Sequence, residues 1–166
     1  EDSDITGYEF NFQQDFEFLP APFDGMFIAL NLTWTDGDST FKFEDNQSFT
    51  TPFRKLSDKQ ENFSIGYDKG KFDIRLAMNS RGEYLDWLAD EESDIDKVSL
   101  QNSRFVAPHE QWDLKASYEI NDNFRLKFEI TNIEDRPEYY YWGYNDRLSQ
   151  YDEYGTSYAI GFTYNN

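Results

Sequence analysis

Cysteine is absent from the 166 residues, which excludes disulfide scaffolds and thiolate metal sites and leaves the redox compartment unmarked. No stretch approaches the roughly 18 consecutive apolar residues that a membrane-spanning helix needs. A helical membrane protein is thereby excluded, but a membrane barrel is not, because barrel strands alternate apolar and polar residues. Basic residues are few: 15 Lys and Arg stand against 33 Asp and Glu, a formal net charge of −18. A nucleic-acid partner is disfavoured, since phosphate binding needs a basic face. There is no initiating Met, basic n-region or signal peptide, and Glu1-Asp2-Ser3 leads almost directly into a strand pattern, as expected of a piece cut from something longer. The length demands no more than one domain.

Aromatic residues are abundant instead, at 19% of the chain, which argues against disorder. They fall into a two-residue alternation that recurs in about seven segments and predicts strands. Tyr8, Phe10, Phe12, Phe16 and Phe18 alternate with polar residues in the first, and Ile28, Leu30, Leu32 and Trp34 do so in the second. Phe63, Ile65 and Tyr67 mark the third, and Phe72, Ile74, Leu76 and Met78 the fourth. Trp112, Leu114, Ala116, Tyr118 and Ile120 mark the fifth, and Phe124, Leu126, Phe128 and Ile130 the sixth. The last runs through Tyr158, Ile160, Phe162 and Tyr164. Short links at 19–25, Lys69-Gly70 and Asn121-Asp122-Asn123 alternate with long polar stretches near 36–61, 89–110 and 134–155. Short turns at one end and long loops at the other are the plan of an outer-membrane barrel.

Two hairpin registers follow. A Lys69-Gly70 turn pairs Asp68 with Lys71, Tyr67 with Phe72 and Ile65 with Ile74. A 121–123 loop pairs Glu119 with Arg125 and Lys115 with Glu129 on the polar face, and Leu114 with Ile130 and Tyr118 with Leu126 on the apolar one. Each opposite-charge pair is worth roughly 0.2–1 kcal/mol. The polar face carries many charges, among them Asp73, Arg75, Arg81, Glu83 and Lys127. Alternation alone does not decide whether the apolar face meets lipid or a second sheet. Aromatic rows at both ends favour lipid, with Tyr8, Trp34, Tyr84 and Trp112 toward the long loops and Phe18, Phe72, Phe124 and Tyr164 toward the short turns. The alternatives are a soluble carbohydrate-binding β-sandwich and a complete eight-stranded barrel, whose extra strand would lie near Phe41-Lys42-Phe43.

Residues 128–164 carry a resemblance. Asn132-Ile133-Glu134-Asp135, the run Tyr139-Tyr140-Tyr141, the approach Tyr151 to Gly155 and the final alternating strand resemble the end of TonB-dependent outer-membrane receptors. Thr156 stands where that family usually has Arg, and Asn165-Asn166 extend past the expected terminal aromatic. Leu19-Pro20-Ala21-Pro22 with Gly25, the strand Asn31-Leu32-Thr33-Trp34-Thr35, and Tyr67-Asp68-Lys69-Gly70-Lys71-Phe72 are similar to the family as well. The resemblance implies an all-β, antiparallel, up-and-down meander forming the C-terminal part of a 22-stranded transmembrane barrel over residues 1–166, without the plug domain and the TonB box. It implies residence in the outer membrane of a Gram-negative bacterium, contact with lipid and lipopolysaccharide, coupling to the TonB complex through the missing N-terminal region, and no cofactor. Tyr158, Ile160, Phe162 and Tyr164 are similar to the signal read by the barrel assembly machinery. The tyrosine-rich segments are nearest to a subgroup associated with oligosaccharide uptake, so the expected cargo is an oligosaccharide, otherwise a siderophore or other metal chelate.

The candidate ligand-binding loop is Tyr139, Tyr140, Tyr141, Trp142, Tyr144, Asn145, Asp146 and Arg147, with Trp87 as a further candidate. Rings stack on sugar faces or aromatic chelators, and Asn, Asp and Arg fix hydroxyls or anions. The simpler account is a loop packed on its neighbours. Catalysis has little support, because His109 is the single histidine and is expected in a loop beside Pro108. The run Asp90-Glu91-Glu92-Ser93-Asp94-Ile95-Asp96 offers carboxylates to calcium or to divalent bridges with lipopolysaccharide, but lacks the spacing of an EF-hand loop. A solvated acidic loop is the simpler reading.

Overall fold

The computed structural model describes residues 2–42, 48–89 and 99–165. The strands among them are β1 (Asp2–Asp15), β2 (Met26–Lys42), β3 (Ser48–Pro52), β4 (Lys59–Lys69), β5 (Phe72–Arg81), β6 (Tyr84–Ala89), β7 (Ser99–Val106), β8 (His109–Glu119), β9 (Phe124–Thr131), β10 (Glu138–Trp142), β11 (Leu148–Asp152) and β12 (Ser157–Tyr164). A main sheet runs in the order β1-β2-β4-β5-β8-β9-β12, with β3 added beside β2. A second, four-stranded sheet has the order β11-β10-β7-β6. Every pairing is antiparallel. The long connections 36–61, 89–110 and 134–155 were expected as loops. They instead hold β3, β7, β10, β11 and the distal half of β2. Phe41 and Lys42 belong to β2 itself rather than to an extra strand.

Register carries the apolar alternation from strand to strand through the middle of the sheet, while farther along β2 Leu32 and Trp34 face Glu61 and Lys59. Phe12 faces Leu30, Leu30 faces Phe63, Phe63 faces Met78 and Met78 faces Trp112. Leu114 faces Ile130, which faces Tyr158. Among the described residues nothing covers this face at β12, where Tyr158, Ile160 and Phe162 are 70%, 77% and 78% exposed. A soluble sandwich would bury these rings against a second sheet, and the order β1 to β12 leaves two unpaired outer edges, so an eight-stranded closed barrel does not form. Both alternatives fail on geometry.

The 121–123 hairpin has the expected register. Lys115 Nζ meets Glu129 Oε1 at 2.6 Å, and Arg125 pairs with Glu119. The other hairpin is shifted by two residues. Lys69 faces Phe72 and Asp68 faces Asp73, so Asp68 and Lys71 do not pair. The cause is Gly70, which adopts φ +62 and takes the first central position of a two-residue turn, with Lys71 as the second. A shift of two keeps every side chain on its expected face. Lys71 Nζ donates instead to the Ile120 carbonyl at 3.4 Å.

Girdle residues divide by location. Phe72 packs on Tyr118 at 4.7 Å between ring centroids and Phe124 on Tyr164 at 4.9 Å, beside the short turns. Tyr8 faces Trp34 at the opposite end. Tyr84 is not a girdle residue. It lies in the second sheet beneath the Arg81 guanidinium, because the chain leaves the main sheet after Arg81.

The small buried core belongs to the second sheet. Leu85 and Leu88 are fully enclosed, with Phe41, Phe49, Leu100 and Phe105 packed around them. The β2–β3 extension thus covers one side of this sheet and leaves the other open. Asn132, which begins the receptor-like Asn-Ile-Glu-Asp element, is buried with φ +57. Its amide donates to the Arg136 carbonyl and accepts from the Arg136 N–H, while its own N–H donates to Asp113 Oδ1 at 2.9 Å. Asparagine tolerates that backbone and supplies both partners, which accounts for the residue type.

One polar-face row depends on a missing side chain. A Cβ at Gly66 would overlap the Phe27 ring and sit 2.5 Å from the Ile74 carbonyl oxygen. The Phe27 ring fills this gap, and the Arg75 guanidinium lies 4.9 Å from its centroid. Gly66→Ala is expected to lower the folded, heat-modifiable fraction severalfold on unheated gels, the consequence of overpacking by about 1–3 kcal/mol. Adding Phe27→Ala does not restore it, because the Ile74 carbonyl remains in the way.

Candidate functional site

Pairing in the second sheet sorts its side chains onto two faces. Leu85, Phe105 and Tyr141 occupy one row of neighbours, and Tyr84, Val106 and Tyr140 another. Trp87, Arg104 and Trp142 form a third row, on the same face as Tyr84 and Tyr140. The first face is the packed one. Tyr141 is buried there, stacked on Phe105 at 5.5 Å, with its hydroxyl donated to Glu83. Tyr141 is therefore part of the core rather than a ligand contact.

On the opposite face Val106 is fully buried, and around it stand aromatic rings and guanidinium groups that reach the surface, Trp87 most of all. The Trp87 and Trp142 rings meet edge to face at 5.8 Å, which joins two candidates that lie far apart in sequence. The Arg104 guanidinium lies 5.4 Å from the centroid of Tyr140 and is held by Asp86, which accepts from its Nε at 2.8 Å. The Arg81 guanidinium lies 5.0 Å from the centroid of Tyr84 and donates to Glu138 Oε1 at 3.3 Å. Its Nη1 is buried with no hydrogen-bond partner among the described residues. Arg81 sits on the polar side of β5, opposite His109, so this face continues the polar face of the main sheet. His109 opens β8 rather than lying in a loop.

Other candidates hold the β10–β11 turn in shape. Tyr139 donates its hydroxyl to the Asn145 carbonyl at 2.7 Å, and Arg147 Nη1 donates to the Gln101 carbonyl at 2.8 Å. Gly143 has φ +65, and a Cβ there would lie 2.6 Å from Gln101 Cα, so the turn admits no larger residue. Tyr144 is left half exposed, and Asp146 is exposed beside it. Sequence reasoning missed Asp86, Arg104 and Glu138 as site residues and placed Tyr84 in the girdle, whereas Arg81 lies on the polar face where it was expected. Among the described residues no group of acidic or histidine side chains is arranged to hold a metal. The Asp90–Asp96 run lies outside the described residues.

An uncovered apolar face on an open antiparallel meander, backed by a charged face, defines a segment of a transmembrane β-barrel. Residues 1–133 match the family model described as TonB dependent receptor-like, beta-barrel, and the chain belongs to that family. The matched span stops short of most of the 128–164 segment that most resembles the family by eye. Membership places the chain in the outer membrane of Gram-negative bacteria, with the apolar face to lipid and the polar face to the lumen. The fold is similar to that of the siderophore receptor PiuA from Acinetobacter baumannii, with a TM-score of 0.63 and 13% identity. The likeness covers 98% of this chain and 22% of that one, so the chain spans about a fifth of the receptor it matches. No curated protein matches the chain by sequence.

Tyr140 has a measurable signature. Burial, together with its hydrogen bond to Glu138 at 3.0 Å, pushes its phenol from the ordinary 10.0 up to about 12. The neutral phenol is favoured by the fold. Its contribution is complete below pH 10 and is lost as pH rises toward 12. In an ultraviolet phenolate titration, Tyr140→Phe should remove a step near 12, not one near 10.

Proposed function

We infer that this chain is the C-terminal part of the barrel of a receptor that takes up a small nutrient with energy relayed by TonB. The open face of the second sheet is its cargo contact. The receptor is a transporter rather than an enzyme, its last strand is the handle for barrel assembly, and its plug and TonB-contacting segment belong to chain not included in these residues. The carrying observation is charge balance on the open face. Each guanidinium has its own carboxylate, Glu138 for Arg81 and Asp86 for Arg104, and each covers a tyrosine. Such a surface offers flat rings and fixed hydrogen-bonding groups but no net positive field. A neutral oligosaccharide fits it: rings stack on Trp142 and Trp87, and hydroxyls meet the carboxylate edges of Glu138 and Asp86. The acidic chain, at −18, would slow the approach of an anionic ferric chelate. The second reading is a siderophore, favoured by the likeness to a siderophore receptor and by exposed rings able to stack on aromatic chelators.

Trp142→Ala in the full-length receptor is expected to weaken cargo binding about tenfold, the equivalent of roughly 1.4 kcal/mol. The check is quenching of tryptophan fluorescence by neutral oligosaccharides and by ferric chelates in parallel. Quenching by ferric chelates alone would overturn the oligosaccharide reading in favour of the second one.

A further inference from the structure

The second sheet repeats the strand order of the wall beneath it. β6 follows β5, β7 leads into β8, β10 follows β9 and β11 leads into β12, so the order β6-β7-β10-β11 stands above the wall order β5-β8-β9-β12. At each junction of the wall, the segments above two paired strands are bonded to each other as well. β1 stays paired with β2 as far as Asp2 and Thr40, and β3, which leads into β4, pairs with β2. Above β4 and β5 the Lys55 N–H donates to the Leu85 carbonyl at 2.7 Å, which places the segment before β4 against β6. Above β5, β8 and β9 run the pairs β6–β7 and β7–β10, and above β9 and β12 the pair β10–β11.

At β11 the series stops, since its outer edge has no strand partner among the described residues. The row Leu85, Phe105, Tyr141 and Leu148 crosses the sheet on the packed face. Leu85 and Tyr141 are 1% and 5% exposed, whereas Leu148 is 58% exposed, and Tyr151 beside Tyr139 is 52% exposed. Proteins blunt an unpaired edge with lysine or proline, and Leu148-Ser149-Gln150-Tyr151-Asp152 contains neither. The extra residue Ser149 bulges against β10, which bends the strand without covering its edge.

We propose that the β11 edge is completed by the receptor itself: the upper continuation of the wall strand that pairs with β12 adds to β11 as a further, antiparallel strand. The addition rests on the reading above, in which this chain is the C-terminal part of the barrel. Closure leaves a barrel no edges, so β12 pairs with the first strand of the wall, which belongs to the portion of the receptor before this chain. This chain spans 22% of the receptor it is similar to, so most of such a receptor lies outside it. The first strand rises antiparallel to β12, and above the membrane it stands next to β11, as the wall neighbours do at every other junction. Main-chain hydrogen bonds give such an addition its strength, and alternate side chains give it its register. The residues opposite Leu148 and Tyr151 are therefore apolar, because they extend the packed rows. The added strand also holds the β10–β11 hairpin from its free side, and that hairpin carries Trp142 and Tyr144.

The test is photo-crosslinking of the full-length receptor in intact outer membranes. Tyr151→benzoylphenylalanine probes the β11 edge and Phe162→benzoylphenylalanine the wall edge at β12, and both keep an aromatic ring. Position 162 should cross-link to the first wall strand, and position 151 to the segment that continues that strand beyond the membrane. A cross-link from position 151 to residues 90–98, or to a second copy of the receptor, would overturn the proposal. If position 162 reaches the first strand while position 151 misses its continuation, the added strand fails and the barrel reading stands. If position 162 finds no other segment of the receptor, both fail. Thiol labelling of intact cells with a membrane-impermeant maleimide supplies a second measurement. Tyr144 and Tyr151 are 54% and 52% exposed in this chain alone, so equal labelling of Tyr144→Cys and Tyr151→Cys would also sink the added strand. The expected outcome is labelling about tenfold slower in Tyr151→Cys, where the thiol reacts only when the added strand opens.

Discussion

The backbone ladder between antiparallel strands fixes which side of the sheet each residue faces, and every other property of this chain rests on that parity. Pairing is continuous from β1 to β12, so the apolar row of each strand runs into that of the next through the middle of the sheet, with Gln14 beside Ile28 and Glu61 and Lys59 beside Leu32 and Trp34 as exceptions toward its ends. The surface it creates is too apolar and too exposed for water, as Ile160 and Phe162 show, and only lipid removes that cost. The same parity gathers the charges on the opposite face. There Lys115–Glu129 and Glu119–Arg125 neutralise each other across β8 and β9. A single-residue slip would send charges into lipid and rings into the lumen at once, so the hydrophobic pattern and the charge pattern enforce the same register.

The second sheet depends on the first in a more local way. Its core is small, and two of its strands follow main-sheet strands, β6 after β5 and β10 after β9. The β2–β3 extension supplies Phe41 and Phe49 to cover Leu85 and Leu88, and the Lys55 N–H donates to the Leu85 carbonyl at 2.7 Å. Arg81 then joins the two sheets on the lumen side by reaching Tyr84 and Glu138 together. A guanidinium suits this position because its plane stacks on a ring while its edge donates to a carboxylate. The outcome is one covered face and one open face. The open one continues the lumen wall and contains Trp87, Trp142 and Tyr140.

How much of this was legible in the sequence follows from where the two-residue period holds. It holds along the seven long strands, and there the faces and the 121–123 register could be read directly. It did not fix the Gly70 turn, because a Lys-Gly pair permits two turn positions and only the positive φ of the glycine chooses between them. It fails in the second sheet for two separate reasons. Tyr139-Tyr140-Tyr141-Trp142 is uniformly aromatic, so its alternation between the packed and the open face is invisible. In β6 the register shifts on either side of Trp87, which puts Leu85 and Leu88 on the packed face three residues apart and mimics no strand pattern. Asp86, Arg104 and Glu138 were missed for a further reason. Charged residues are common in this chain, and neither the Asp86–Arg104 pair across the β6–β7 bulge nor the Arg81–Glu138 pair between the sheets leaves a mark on local sequence.

The lumen wall is graded from one end of the strands to the other. Toward the short turns it carries Asp73, Lys127, Glu119 and Arg125, of which Glu119 and Arg125 pair across β8 and β9 while Asp73 and Lys127 both face Ser117. Midway it becomes neutral, with an amide row of Asn31, Asn62 and Asn79 beside Ala29 and Ala77. At the far end it becomes aromatic, with each arginine already paired. Ion pairs cross-link neighbouring strands and give a passing neutral solute little to hold, since their donors and acceptors satisfy each other. Amides satisfy each other only in part, and rings not at all. The capacity to hold a neutral polar molecule therefore rises from the short-turn end toward the second sheet.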